Sequence, residues 1–341
     1  MNDIVFVFGK SNRPLFEGIF AMTSKILPDM VKTGVLPKIT VADTLVEKFA
    51  NGEIRVVINS NLRGKTVYIF ETADNTPDFS VNDYLQSLYL LIDACKRASA
   101  EDITLVIPNY FYARQDKKDN PHVPISAKVV ASILEKVFKV TRVITVDLHA
   151  AQIQGFFDIP VDNIFAIRDL VSHVKMLISA HEPARYVLIS PDVGGEKRIE
   201  SWHKKLGIPY IVCAKHRDHT KSSVVDKVFI TGDTTYLEGS IGIVVDDIMD
   251  TCGTVKALID ALESCKFAEI WLVCTHGIFS GSAADKLNSV PLIKHIICTN
   301  TMDQLSKKSK ILNLDVVDLS TTLAETICRV LMRESVSDMF A

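Results

Sequence analysis

The stretch Ile243-Val-Val-Asp246-Asp247-Ile-Met-Asp250-Thr251-Cys252-Gly253-Thr254 reads as an apolar strand that stops at two carboxylates, then a short turn, then a helix over 255–264. Strand, tight turn and helix in immediate succession form the repeating unit of a parallel α/β sheet. The helix start offers backbone N–H groups without intrahelical partners and the positive end of the helix dipole, which together suit a phosphate. Gly253 lets an anion approach the backbone, and Thr251 and Thr254 add hydroxyl donors. Asp246 and Asp247 would repel a phosphate at close range, so they face something else, most simply the hydroxyls of a ribose. A capped helix start with a solvated acidic pair is the plain alternative. A cap needs one carboxylate, however, and this segment has three.

The same alternation runs outward from this stretch. Apolar runs at 4–8, 66–70, 103–107, 143–146, 187–189 and 270–274 are separated by residues at helical spacing, among them Leu85, Leu88, Ile92 and Cys95, and Val130, Ile133, Leu134 and Val137. The pattern predicts an α/β fold of two domains, each a mainly parallel sheet flanked by helices. The boundary is expected in the loop 155–163, giving domains 1–162 and 163–341, with a C-terminal helix near 322–333. Ligands of such sheets sit beyond the carboxyl ends of the strands. Asp147 with His149, Asp192, Asp246 with Asp247, and His276 with Gly277 stand at those ends.

Composition narrows the class. The 341 residues are 48% hydrophobic and carry 38 Lys+Arg against 41 Asp+Glu, a net charge of −3, which argues against disorder and against a broadly basic nucleic-acid binder. The N-terminus lacks a basic segment followed by a long apolar core, and no apolar run reaches the ~20 residues a membrane span needs. The seven cysteines form no CxxC pair and several lie in apolar runs, as expected of reduced, buried thiols. These features predict a cytoplasmic location, with no membrane and no nucleic acid as partner.

The 246–254 segment resembles the 5-phosphoribosyl-binding loop shared by phosphoribosyltransferases and phosphoribosyl pyrophosphate synthetases. Five further segments resemble motifs of ribose-phosphate pyrophosphokinases: Phe49-Ala-Asn51-Gly-Glu53, Tyr112-Ala-Arg114-Gln115-Asp116-Lys117-Lys118-Asp119, Asp147-Leu-His149-Ala-Ala-Gln152-Ile-Gln154-Gly155, Pro191-Asp192-Val-Gly194-Gly195-Glu-Lys197-Arg198 and Thr275-His276-Gly277-Ile-Phe-Ser280-Gly281. They follow the family order and cover nearly the whole chain. The tail Glu334-Ser335-Val-Ser337-Asp-Met-Phe340 resembles that of the phosphate-activated class.

The resemblance implies two phosphoribosyltransferase-like domains that convert ATP and ribose 5-phosphate to AMP and phosphoribosyl pyrophosphate, with Mg²⁺ as cofactor. It assigns ATP to Phe49, Asn51 and Glu53 of a neighbouring subunit and to Arg114, Gln115 and His149. Ribose 5-phosphate falls to Asp192, Asp246, Asp247, Asp250, Thr251, Cys252, Gly253 and Thr254. Asp147, His149, Asp158, Asp162 and Asp192 match metal positions. Lys215 and Arg217, in the polar stretch 214–223, match the flexible catalytic loop. Arg63, Gln154, Ser335, Ser337 and Phe340 match a regulatory pocket for phosphate as activator and ADP as inhibitor, in a hexamer built from dimers. Two rivals stand beside this reading, a noncatalytic regulatory relative and a phosphoribosyltransferase. The first tends to lose the ribose-phosphate and catalytic loops, and the second has no use for the ATP-type motifs.

Overall fold

The computed structural model describes residues 3–31, 36–217, 225–231 and 236–340, with backbone alone at 215–217 and 225–229. The chain forms two units. One comprises Met1–Phe165, Thr301–Asp303 and Asp318–Ala341; the other comprises Ala166–Asn300 and Gln304–Val317. The break therefore falls after Phe165, just beyond the expected position. The C-terminal helix and tail, expected in the second domain, belong to the first.

The first unit holds β1 (Ile4–Phe8), β2 (Ile39–Val41), β3 (Thr44–Lys48), β4 (Ile54–Ile58), β5 (Thr66–Phe70), β6 (Asp102–Ile107), β7 (Arg142–Val146) and β8 (Val161–Ile164). Six of them make a fully parallel sheet in the order β2-β1-β5-β6-β7-β8. Every residue of β1 is buried, which is why it reads as an unbroken apolar run and not as an alternation. Helices α1 (Arg13–Met30), α2 (Val81–Arg97) and α3 (Ser126–Ser132) follow their strands, and α3 runs on into a π-helical turn at Ile133–Val137. Ser80 and Asp83 cap α2 reciprocally. Between β1 and α1 the rings of Phe6, Phe8, Phe16 and Phe70 meet at centroid distances of 4.8 to 5.9 Å. Fully burying each such ring stabilises the fold by about 1.5–3 kcal/mol. The last helix of the chain, Ser320–Met332, returns to pack on α1, where a side chain on Gly18 would collide with the Ser320 hydroxyl.

The second unit contributes β9 (Tyr186–Ser190), β10 (Tyr210–Arg217), β11 (Val225–Thr231), β12 (Ile241–Met249), β13 (Glu269–Gly277), β14 (Ile293–Thr299) and β15 (Leu314–Val317). They form one sheet in the order β11-β10-β9-β12-β13-β14-β15, parallel except for the antiparallel edge pair β10–β11. Its helices are α4 (Ile167–Ala180), α5 (Glu196–Leu206), α6 (Gly253–Ala261), α7 (Ala283–Asn288) and α8 (Leu305–Lys308), which makes the C-terminal helix α9. The α/β expectation holds. β12 is longer than its apolar run: pairing with β13 continues from Asp246–Cys274 to Met249–Gly277, so the two carboxylates lie within the strand. Pairing with β9 ends at Val244–Ile189, and the final residues of β12 stand clear of that neighbour.

Candidate active site

At the end of β12 in the second unit, Asp246 and Asp247 share one guanidinium. Arg198 Nη1 lies 3.2 Å from Asp246 Oδ1, and Nη2 lies 3.1 Å from Asp247 Oδ1. Asp246 Oδ1 also accepts the Asp247 N–H at 2.9 Å. Burial and the neighbouring Asp247 charge push the Asp246 carboxyl up to about 7, and Arg198 opposes that rise. The chain then turns through Asp250, Thr251 and Cys252 into α6. Cys252 is left-handed at φ 55°, a conformation seldom taken by a side-chain-bearing residue. Lys286 of α7 holds the turn by donating from Nζ to the Thr251 carbonyl at 2.8 Å.

No side chain caps the first turn of α6 among the described residues. The Gly253 position is open: a Cβ built there would meet nothing nearer than Thr251 Oγ1 at 3.9 Å. Thr251, Gly253 and Thr254 are exposed, whereas Cys252 is buried. The arrangement offers what a sugar phosphate requires, a bare helix N-terminus for the anion and two carboxylates close by for hydroxyls. Asp192, exposed beyond β9, caps the short turn Val193–Gly195 by accepting the Gly195 N–H at 3.1 Å. His276 is buried inside β13.

In the first unit the expected nucleotide residues occupy three segments. Phe49, Asn51 and Glu53 form the tip of the β3–β4 hairpin. Phe49 N–H donates to the Glu53 carbonyl at 2.9 Å, and the Asn51 amide donates to Glu53 Oε2 at the same distance. The Phe49 ring is 51% exposed, so a backbone-locked hairpin presents an aromatic face to solvent. Arg114 and Gln115 are exposed in the loop after β6, where Ser126 of α3 fixes Gln115 through a 2.6 Å bond. Asp147 follows β7 with φ 38°, held by its N–H to Ile164 O at 2.9 Å and by Leu148 N–H to Asn163 Oδ1 at 3.0 Å. Such strain costs of order 1–3 kcal/mol and is characteristic of functional turns. The His149 imidazole is exposed two residues on.

Among the described residues no group of three or more His, Cys, Asp or Glu is placed to hold an ion by itself. Asp147 and Asp192 each place one carboxylate at a strand end, the kind of donor Mg²⁺ takes when phosphates and waters complete its shell. Asp162 does not fit. It lies in β8, its carboxylate is taken by Arg142 at 2.6 Å, and it lines a different cavity. Asp158 is exposed, with its N–H bonded to Glu135 Oε2 at 2.9 Å.

That other cavity, about 420 Å³, is lined by Arg142, Asp162, Arg333, Ser335 and Ser337, with Val330, Glu334 and Val336 beside them. The tail is held in place: Arg329 donates to Ser335 O at 3.0 Å, and Phe340 packs edge-on to Phe165 at 6.0 Å. Arg63 and Gln154 lie outside the lining, bonded locally to Asn61 and Ala151. Lys215 and Arg217 belong to strand β10, where a loop was expected, and their backbones pair with Val228 and Val225 of β11. Their side chains, and residues 218–224, lie outside the described residues.

Two family descriptions match the chain: the N-terminal domain of ribose phosphate pyrophosphokinase over residues 4–137, and the phosphoribosyl synthetase-associated domain over residues 193–341. A curated relative, ribose-phosphate pyrophosphokinase A of Dictyostelium discoideum, is 39% identical over 296 residues, covering 87% of this chain and 89% of its own. The chain belongs to the ribose-phosphate pyrophosphokinase family. The solved phosphoribosylpyrophosphate synthetase of Mycobacterium smegmatis is 30% identical and superposes with a TM-score of 0.82, covering 97% of this chain and 99% of its own. Within the pyrophosphokinase family match, the N-terminal segment takes in the hairpin tip and Arg114–Gln115. The C-terminal segment takes in Arg198, Lys215, Arg217, the 246–254 turn and the tail. Sequence reading missed Arg198 as a site residue, although it ends the Gly-Gly-Glu-Lys-Arg motif six residues beyond Asp192.

Proposed function

We propose that this protein is a ribose-phosphate diphosphokinase, forming 5-phosphoribosyl 1-pyrophosphate and AMP from Mg-ATP and ribose 5-phosphate for nucleotide biosynthesis. The observation that carries the reading is the β12–α6 turn, where an uncapped helix start lies beside a guanidinium-bridged carboxylate pair. The sugar phosphate sits on the N–H groups of 250–254 and its hydroxyls donate to Asp246 and Asp247. The anomeric oxygen then attacks the β-phosphorus of ATP. One O–P bond forms as the bond from that phosphorus to the α–β bridging oxygen breaks, AMP leaves, and the hydroxyl proton is released.

Phe49 stacks on the adenine bound by a neighbouring protomer, while Asn51 and Glu53 read its polar edge. Arg114, Gln115 and His149 hold the nucleotide from the first unit. Asp147 and Asp192 would hold Mg²⁺, which neutralises polyphosphate charge when bound. Lys215 and Arg217 neutralise the charge that develops on the transferring group, so catalysis is mostly positioning and electrostatics. The tail cavity, with Ser335 and Ser337, binds free phosphate as activator and ADP as inhibitor in a cytoplasmic hexamer built from dimers.

The deciding experiment is release of AMP by purified protein with Mg²⁺ and ATP. Release that requires ribose 5-phosphate supports the reading, and its absence refutes it. A phosphoribosyltransferase would instead consume phosphoribosyl pyrophosphate, and a noncatalytic relative would do neither.

A further inference from the structure

We propose that Arg198 is the positioning residue of the sugar site, bridging Asp246 and Asp247 so that both carboxylates stand ready to accept from adjacent sugar hydroxyls. The inference rests on the reading that this turn binds ribose 5-phosphate.

The geometry is unusual for an arginine. Its two terminal nitrogens do not grip one carboxylate as a fork; they split between two, at 3.2 and 3.1 Å. Successive residues carrying like charge, one of them only 7% exposed in its side chain, resist ionising together, and a cation between them opposes that. The groups facing Asp246 are Asp247 on its own strand, Arg198 from α5, and the buried Cys274 thiol on β13. Arg198 is the cation among them. Burial and the Asp247 charge raise the Asp246 carboxyl to about 7, and removing Arg198 raises it further.

Arg198 reaches this position because it rides the first turn of α5, directly after the Gly194-Gly195 turn. A Cβ at Gly195 would lie 2.5 Å from Ser190 Oγ, so the turn that leads into Arg198 needs a bare backbone there. The same Gly195 donates to Asp192. One side chain therefore ties the turn after β9 to the carboxylates of β12. Both terminal nitrogens are engaged with the carboxylates, so Arg198 acts through the aspartates.

The test uses the full-length protein as Arg198→Gln, Arg198→Lys and Asp246→Asn, with AMP release followed from pH 6.5 to 9 while ribose 5-phosphate is varied at saturating Mg-ATP. Loss of charged hydrogen bonds predicts that Arg198→Gln raises the ribose 5-phosphate KM about tenfold or more at pH 7. The deficit shrinks toward pH 9, where the pair ionises unaided, and the ATP KM stays near wild type. Arg198→Lys recovers part of the loss, and Asp246→Asn gives a deficit without this pH dependence. An unchanged KM in Arg198→Gln, or a deficit equal at every pH, overturns the proposal. If Arg198→Gln does not fold, as read from circular dichroism, Arg198→Lys decides: its KM profile must move to higher pH, and an unmoved profile refutes the clamp. Wild-type protein that releases no AMP sinks the functional reading instead. Calorimetric binding of ribose 5-phosphate to wild type and Arg198→Lys across the same pH range then reads the clamp directly, with the same outcomes for and against.

Discussion

Replacing Gly253 by alanine separates a ligand cradle from a packing requirement. A methyl group at that position would meet nothing nearer than Thr251 Oγ1 at 3.9 Å, an ordinary van der Waals distance. Gly253 also has no left-handed φ to defend, because Cys252 carries the strained angle of the turn. Alanine is the better helix former by up to about 1 kcal/mol, so thermal stability should hold or rise slightly. The space the methyl fills is where a phosphate must come to reach the N–H groups at the start of α6. Displacing the anion weakens a charged hydrogen bond, about 1.5–3 kcal/mol, or roughly 10- to 150-fold in the ribose 5-phosphate KM. The assay is AMP release with ribose 5-phosphate varied, run beside a thermal melt. Gly195→Ala is the contrast, since its Cβ would lie 2.5 Å from Ser190 Oγ and should lower the melting temperature. A Gly253→Ala protein with unchanged KM, or one that melts markedly earlier, would refute the reasoning.

Three other outcomes are expected. Glu71 is fully buried, accepts from Ser11, Ser87 and the N–H of Lys10, and is pushed up to about 7 by burial. The folded state thus holds this proton more tightly than the unfolded chain; its contribution is complete below the ordinary 4.5 and is lost as pH rises through about 7, on the order of 3 kcal/mol in all. Melting curves from pH 5 to 8 should lose that dependence in Glu71→Gln, and an identical slope would disprove the assignment. Lys215→Ala should lower kcat by orders of magnitude with circular dichroism unchanged; a wild-type kcat would remove Lys215 from the chemistry. Ser337→Glu, which adds a carboxylate to the tail cavity, should weaken activation by added phosphate by on the order of tenfold, measured as phosphate dependence of AMP release.

Where burial dominated, the fold was legible in the sequence. β1, β5 and β7 lie between layers of helix, so their side chains are apolar on both faces and the strand boundaries follow hydropathy closely. Legibility failed where a polar residue is satisfied by a distant partner. Asp246 and Asp247 looked like a strand terminus, yet parallel pairing carries β12 on to Met249, because Arg198 supplies the charge that lets two carboxylates sit inside a sheet. Lys215 and Arg217 looked like loop residues, yet an antiparallel partner extends β10 over them. Asp162 matched a metal position through the family resemblance; its neighbour in space is Arg142, and the two line the tail cavity together. The return of α9 to the first unit left no local trace apart from the missing side chain of Gly18.

These misreadings share one physical cause. Hydropathy reports whether a residue is wet or dry, but the worth of a charge depends on which opposite charge the fold brings to it. Arg198 was visible in its motif throughout; only the register of β12 beyond β9 shows that its guanidinium has two carboxylates to serve. The sugar site is thus a property of strand overhang as much as of motif. If β12 stopped where its apolar run stops, Asp246 and Asp247 would flank a loop, the arginine would have one partner at most, and less would oppose the mutual repulsion of the pair.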